Sequence, residues 1–172
     1  MELRFVSPDM RQLCAVGGEV LACCMFEDER PVRGLAGLLD WRMAARLSNY
    51  MSSGTLSGKL GEKTLIPGKP RIPFEIVLLF GMGQKNRFTE RVFLQIVSGI
   101  VDTLSGMRVR KAVLERPGRH IETIDAIRAT QLIIETCEQR CQQDVWTIVE
   151  SLPDQKLISM HLDQEKRRKR LR

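Results

Sequence analysis

Short apolar runs rich in branched side chains alternate along this 172-residue chain with longer segments of helical periodicity. The runs at 19–26 and 75–80 are almost continuously apolar, which is typical of strands covered on both faces of a sheet. Four shorter runs bounded by turn-forming residues predict strands as well. The six predicted strands span residues 2–6, 19–26, 63–66, 75–80, 109–114 and 145–149.

Three segments between the strands place apolar residues three and four positions apart, the spacing of amphipathic helices. The stripes are Leu35, Leu39, Met43, Leu47 and Tyr50; then Val92, Phe93, Ile96, Val97, Ile100, Val101 and Leu104; then Ile124, Ile127, Ile134, Cys137 and Cys141, within a helix predicted over about 121–141. This alternation predicts an α/β domain of three layers, with helices on both faces of a mixed, mostly parallel sheet of about six strands. The Ser-, Gly- and Pro-rich segment 52–70 is predicted to be mostly surface loop.

The C-terminal end combines a helix with a strongly basic tail. The helix is predicted to begin after Pro153, with Asp154 as its N-cap. The last ten residues hold six Lys or Arg against two acids, and so supply +4 of the net charge of +6. We therefore predict one domain at 1–162 and a basic tail at 163–172. The tail could contact phosphates or acidic lipid headgroups, and a solvated helix end or a solubility tail is the alternative. The candidate phosphate contacts are Lys166, Arg167, Arg168, Lys169 and Arg170.

Composition favours a globular protein in a reducing environment. The chain is 43% apolar and 28% charged, and no apolar run approaches the roughly 20 residues that span a bilayer. Its first residues lack the pattern of a secretory signal. An odd number of cysteines without a CxxC motif argues against a disulfide framework and against a zinc ribbon. We predict buried structural thiols and a cytoplasmic location. The cysteines are Cys14, Cys23, Cys24, Cys137 and Cys141.

The segment 81–86, Gly-Met-Gly-Gln-Lys-Asn, follows the fourth predicted strand and is a candidate for ligand binding. A dinucleotide fingerprint needs a third glycine, where Asn86 stands, and an acid at a strand end, whereas Asp102 falls inside a predicted helix. The fingerprint therefore fails, and a strand exit that needs unusual backbone angles is the simpler interpretation. Amides at such an exit could still hold a small anion beside a helix N-terminus. The predicted anion or ligand loop is Gly81, Gly83, Gln84 and Lys85.

Other catalytic signatures fail on spacing or partners. The segment 54–60 departs from a phosphate-binding loop, because its glycines are one residue too close and Leu60 stands where a hydroxyl is needed. The sequence has no GxSxG motif, His120 falls in a predicted loop without an evident partner, and His161 lies beside apolar positions of the last helix. The residues by themselves therefore predict no catalytic residue, no metal ligand and no cofactor.

Five segments follow one another in a distinctive order. They are MFEDERP at 25–31, LAGLLDWRMAARLS at 35–48, SGKLGE at 57–62, LIP at 65–67 and LLFGMG at 78–83. Together they resemble the N-terminal domain of the leucyl aminopeptidase family, also called the cytosol aminopeptidases. The resemblance covers residues 1–150, less clearly after 106, and implies a macro-like form of the three-layer fold.

The resemblance also carries an implication about activity. In that family the two metals and the catalytic residues belong to a separate C-terminal domain, marked by an Asn-Thr-Asp-Ala-Glu-Gly-Arg segment. This sequence contains no such segment. The resemblance therefore implies a non-catalytic domain standing without the catalytic one, rather than an enzyme.

Three functional expectations follow. The first is a non-catalytic module for protein interaction, assembly or regulation, with self-association through the surface that a partner domain would otherwise cover. The second is a small-ligand module that binds a nucleotide or an ADP-ribose-like phosphate at 81–85, supported by fold analogy. The third is nucleic-acid binding through the tail, with affinity that falls steeply with salt. The third would also use Arg108, Arg110, Lys111, Arg116 and Arg119.

Overall fold

The computed structural model describes residues 2–140 and 143–170, without the side chains of residues 139, 169 and 170. The strands are β1 (Glu2–Val6), β2 (Gly18–Met25), β3 (Lys63–Pro67), β4 (Phe74–Gly81), β5 (Lys111–Glu115) and β6 (Val145–Val149). The helices are α1 (Met10–Val16), α2 (Gly34–Arg42), α3 (Arg46–Ser52), α4 (Glu90–Gly106), α5 (Ala126–Arg140) and α6 (Leu152–Arg170). Short 3-10 turns occupy Lys85–Arg87 and Arg119–Ile121.

The six strands form one sheet in the order β1-β6-β5-β2-β4-β3. All neighbouring pairs are parallel except β3, which runs antiparallel to β4 at one edge. The predicted mixed, mostly parallel sheet of six strands is therefore confirmed. Because five strands run in the same direction, their carboxyl ends meet at one edge of the sheet, where ligands bind in open α/β folds.

Two apolar clusters cover the two faces of the sheet. Strand β2 contributes to both, since Ala22 and Cys24 pack with α4 and α5, whereas Leu21 and Cys23 pack with α1, α2 and α3. This two-sided burial explains why 19–26 is almost continuously apolar. It also confirms the predicted three layers.

The prediction of buried thiols holds for three of the four cysteines that the structure describes. Cys23, Cys24 and Cys137 are buried, and Cys14 is partly exposed. Burial raises the pKa of the Cys23 and Cys24 thiols well above the usual value, and the nearby Glu115 carboxylate adds to this effect. Such thiols are poor nucleophiles. Cys141 lies outside the described residues.

The predicted stripe from Leu35 to Tyr50 belongs to two helices rather than one. The chain breaks between α2 and α3, where Ala44 and Ala45 adopt left-handed φ angles of 57° and 60°. The stripe is continuous because α3 returns its Leu47 to the same apolar cluster as α2. Hydrophobic periodicity thus identified the buried face but not the change in backbone direction.

Asp40 stabilises this break. Its carboxylate accepts hydrogen bonds from the Ser48 amide at 3.0 Å and from the Ser48 hydroxyl at 2.5 Å, while its carbonyl accepts from the Ala45 amide at 2.8 Å. We expect Asp40→Ala to lower the free energy of unfolding by about 1–2 kcal/mol, because it leaves the first turn of α3 without its acceptor. Urea denaturation measures this change. The matched control is Asp102→Ala, an exposed aspartate on α4, and equal losses in the two variants would contradict the assigned role of Asp40.

The start of α6 corrects a further prediction. The helix begins at Leu152, and the Ser151 hydroxyl accepts from the Asp154 amide at 3.3 Å and donates to the Asp154 carboxylate at 2.7 Å. Ser151 is therefore the N-cap, and the assignment of Asp154 to that position was wrong. Proline is compatible with the first helical turn, so Pro153 did not delay the helix.

Helix α5 also begins later than predicted, at Ala126. A 3-10 turn and a left-handed Glu122, with a φ angle of 51°, occupy the residues before it.

Helix α1 was not predicted, since its seven residues bury only Leu13. None of the described helices has the length and apolarity that crossing a bilayer requires.

Candidate functional site

The carboxyl edge of the sheet gathers charged residues from four strand exits. By this edge we mean the segments that follow β2 (26–30), β4 (82–85), β5 (116–121) and β6 (residue 150). Each parallel strand ends in a buried apolar run, so the first polar residues after it lie side by side at this edge. Their side chains are linked mainly to one another.

Glu29, after β2, connects two of these exits. Its side chain is only 4% exposed, and its two carboxylate oxygens contact the Lys85 ammonium and His120 Nε2, each at 2.9 Å. The ring of His120 also packs edge-on against Phe26, with centroids 5.8 Å apart. His120 therefore has a partner that the sequence did not reveal. A buried carboxylate held between two basic groups is an ion-pair network rather than a free acid or base.

Glu115, the last residue of β5, is the most perturbed acid at this edge. Burial raises its pKa from 4.5 to about 7, against the opposing effect of the Arg119 charge and of hydrogen bonds from the Leu35 and Cys24 amides. Its Oε1 accepts from the Leu35 amide at 2.9 Å and contacts Arg119 Nη2 at 3.4 Å. The side chain therefore changes charge near neutral pH.

Gly34 allows the buried groups of this edge to come together. A Cβ atom there would lie 2.9 Å from Glu115 Oε1 and 3.0 Å from His120 Nδ1. Its φ angle of 63° also favours glycine. The close packing of Glu115 and His120 beside the start of α2 thus depends on the absence of a side chain at residue 34.

Arg116 and Glu150 join the exits of β5 and β6 through a buried ion pair. Arg116 Nε donates to Glu150 Oε2 at 2.5 Å, and Nη2 donates to Oε1 at 3.3 Å. The two side chains are 4% and 0% exposed. Arg116 Nη1 also donates to the Ile124 carbonyl at 2.9 Å, which fixes the loop before α5. Two hydrogen bonds between one guanidinium and one carboxylate make a strong contact, and this contact links the two strand exits.

The predicted anion loop lies at the same edge, but most of its amides already donate within the protein. The Gly81 amide donates to the Glu62 carbonyl and the Gly83 amide to the Gly58 carbonyl, both at 2.9 Å. The Lys85 amide donates to the Asp28 carboxylate at 3.1 and 3.3 Å. Gln84 is exposed. An acidic side chain of the protein thus occupies the position that an anion would take at Lys85.

The segment before β3 explains why glycine is needed at the exit of β4. A Cβ atom on Gly81 would come within 1.9 Å of the Lys59 carbonyl oxygen. The segment is ordered by the Glu62 carboxylate, which accepts from the Ser57 and Gly58 amides. Leu56 and Gly58 are buried, so this part of the predicted surface loop packs back onto the sheet. Close packing of two backbone segments therefore accounts for Gly81.

The basic tail belongs to a different part of the molecule. Helix α6 starts at the carboxyl edge and ends beside Glu2 and Leu3, at the beginning of β1. Lys166, Arg167 and Arg168 are exposed on its last turns. The predicted contacts Lys169 and Arg170 have side chains outside the described part. The structure thus separates the predicted loop from the predicted tail.

Sequence reasoning did not predict the contacts of this network: it named Arg116 as a possible nucleic-acid contact, although Arg116 is buried against Glu150, and it found no partner for His120. Glu115, Arg116 and Glu150 lie directly after the ends of predicted strands, and this position was a usable signal, whereas Glu29 and His120 lie further along the loops that follow β2 and β5. Within the residues that the structure describes, no group of three or more His, Cys, Asp or Glu side chains is placed to hold a metal ion.

Comparison with known proteins identifies a matching family, similar sequences and similar solved structures. Residues 21–144 match a family model that is described as the cytosol aminopeptidase family, N-terminal domain. A probable cytosol aminopeptidase of Pseudomonas fluorescens (strain Pf0-1) is 32% identical over 107 residues, which cover 62% of this chain and 22% of the relative. A tomato leucine aminopeptidase mutant superposes with a TM-score of 0.61 at 14% identity, over 92% of this chain and 35% of that one.

A macrodomain of Oceanobacillus iheyensis with ADP superposes with a TM-score of 0.69 at 10% identity, over 96% of this chain and 92% of that one. At such identities the two solved structures establish the fold, and they confirm the macro-like α/β architecture. The chain spans between 20% and 25% of the length of the curated relatives it matches.

Proposed function

The chain belongs to the cytosol aminopeptidase family through its N-terminal domain, and from this premise we propose that it acts as a non-catalytic module for protein interaction and assembly. We expect the chain to associate with further copies of itself. We also expect it to be located in the cytoplasm. The proposal concerns this domain, because the matched relatives are four to five times longer than the region they share with it.

The closed carboxyl edge is the observation that supports this proposal. The acids and bases that could act on a ligand there are paired with one another, as in the Glu29–Lys85 and Arg116–Glu150 contacts. Opening this edge for a ligand would leave buried charges without partners, which is energetically costly. The edge therefore suits a scaffold better than a binding cleft.

Exposed apolar side chains on the outer helices favour protein contacts. Trp41 on α2 is 76% exposed and Met160 on α6 is 62% exposed. Tryptophan and methionine are enriched in protein interfaces relative to the remaining surface. Both residues lie away from the ion-pair network, so a partner could cover them without disturbing it.

The test combines solution mass with an activity assay on the purified full chain. We expect sedimentation velocity to show a species heavier than the 19.6 kDa monomer. We also expect no release of product from leucyl-p-nitroanilide with Zn²⁺ or Mn²⁺, with a full-length cytosol aminopeptidase as positive control. A monomeric mass at every concentration would contradict the proposal. So would metal-dependent turnover that follows the chain through a second, orthogonal purification.

A ligand-binding function is the second candidate. The partly exposed Lys85 ammonium at the carboxyl edge favours it, since a phosphate could compete with Glu29 for that charge. A saturable thermal shift with ADP-ribose or a nucleotide, abolished by Lys85→Ala, would establish this alternative. A flat response across both ligand classes would count against it.

Nucleic-acid binding through the tail stays a prediction, and it requires affinity that falls as the salt concentration rises.

A further inference from the structure

A groove of about 790 Å³ runs between α5, α6 and the edge strand β1. Its lining is partly apolar and partly charged, and the charged side chains, which we call its rim, are mainly acidic. The apolar part consists of Leu3, Phe5, Ile134 and Leu162. The charged rim consists of Glu2, Glu135, Glu138, Asp163, Glu165 and Lys166. The groove lies away from the ion-pair network of the carboxyl edge, and the proposed function leaves it unassigned.

The rim offers a row of negative charge rather than a point site for a cation. Among the described residues, neither Glu138 nor Asp163 takes part in an ion pair, whereas Glu2 pairs with Arg4 at 2.8 Å and Glu165 contacts His161 at 3.5 Å. The acids of the rim do not form a metal-binding group in this part of the chain. Carboxylates spread along this groove complement a segment with several basic residues, whose aliphatic stems can pack on the apolar side chains of the groove.

The chain itself carries such a segment. Lys166, Arg167 and Arg168 are exposed at the end of α6, and none of them forms an ion pair within the described part of the structure. Lys166 lies on the rim of its own groove, whereas α6 continues as a helix to Arg170 and carries Arg167 and Arg168 further along the helix axis, and these two are not among the residues that line the groove. A second copy can present its Arg167 and Arg168 to the groove.

We propose that the groove binds the basic end of α6 from a second copy of this chain. Asp163 and Arg167 are one turn apart on one face of α6, with the exposed Met160 just before them. Two antiparallel α6 helices related by a two-fold axis therefore place Asp163 of each copy beside Arg167 of the other. The contact is reciprocal, as two-fold interfaces require. This inference rests on the proposed self-association and specifies its surface.

Charge reversal on each side of the contact tests the inference. The groove variant is Glu138→Lys with Asp163→Lys, and the tail variant is Arg167→Glu with Arg168→Glu. All four residues are exposed on helices, so the fold should persist, and circular dichroism checks this. Sedimentation velocity of the full chain is expected to show self-association at least about tenfold weaker in each variant, because like charges then face each other.

Mixing the two variants tests whether the groove and the tail contact each other directly. In the mixture the reversed groove of one variant faces the reversed tail of the other, so we expect a mixed dimer that neither variant forms alone. The matched control for the groove variant is Glu75→Lys with Asp102→Lys, which carries the same charge change on two other exposed sites and should leave association unchanged.

The outcomes separate the inference from the proposed function. If the wild-type chain self-associates and both reversal variants match it, the groove–tail contact is wrong while assembly stands. If the mixture fails to restore association, the groove and the tail are not partners, and the inference is again overturned. A wild-type chain that stays monomeric contradicts the proposed function itself.

Discussion

Replacing Arg116 with Met is expected to lower the free energy of unfolding by about 3–5 kcal/mol, the cost of leaving a buried charge without its partner. Glu150 is fully buried, and both of its carboxylate oxygens contact the Arg116 guanidinium. Its remaining contact is the Ser151 amide at 3.2 Å, which cannot replace a full positive charge. Urea denaturation followed by circular dichroism measures the loss.

The double variant Arg116→Met with Glu150→Leu distinguishes a charge effect from a packing effect. With both charges removed, no uncompensated ion remains, and most of the stability should return. The exposed pair Arg128–Glu90 provides a matched control, since Arg128→Met removes an arginine from a contact that water already surrounds. If the double variant is as unstable as the single one, the Arg116 contribution comes from packing and from its hydrogen bond to Ile124.

The sheet could be predicted from sequence because its strands are short apolar runs between turn residues. Two of the six, β1 and β6, were predicted with the observed limits, and the others differ by one or two residues at their ends. Because β2 is buried on both faces, its sequence is almost continuously apolar and does not alternate between apolar and polar residues. Local patterns of this kind depend on neighbouring residues alone.

The candidate site could be predicted only in part, because its contacts join residues far apart in the chain. Glu29 and His120 are 91 positions apart, and Arg116 and Glu150 are 34 apart. Nothing in the local sequence of His120 indicates a carboxylate partner. The glycines at 81 and 83 drew attention to the carboxyl edge, but Gly81 is explained by backbone packing against Lys59.

Chain direction was the other feature that local patterns did not reveal. The stripe over α2 and α3 has the spacing of one helix, yet left-handed Ala44 and Ala45 separate two. Alanine is a strong helix former, so its propensity favoured the wrong interpretation. The hydrogen bonds from Ser48 and Ala45 to Asp40 overrode that preference.

Glu115 should make the stability of this protein depend on pH between about 4.5 and about 7. Its folded pKa is raised above the unfolded value, because burial disfavours the carboxylate. The folded state therefore binds the proton more tightly than the unfolded state does. The contribution of this group is fully present below the unfolded pKa, and it is lost as pH rises through the folded pKa. The shift from 4.5 to about 7 corresponds to about 3 kcal/mol.

The Glu115→Gln variant isolates this contribution from every other titrating group. Glutamine can still accept from the Leu35 amide but does not titrate, so we expect the wild type to gain about 3 kcal/mol relative to the variant as pH falls from about 7 to about 4.5. Glu90→Gln is the control of opposite sign, because the Arg128 hydrogen bond lowers the pKa of Glu90 and its contribution is lost as pH falls. A difference between wild type and Glu115→Gln that stays constant with pH would mean that Glu115 remains ionised beside Arg119. The carboxyl edge would then hold a permanent ion pair at this position rather than a carboxyl group that changes charge near neutral pH.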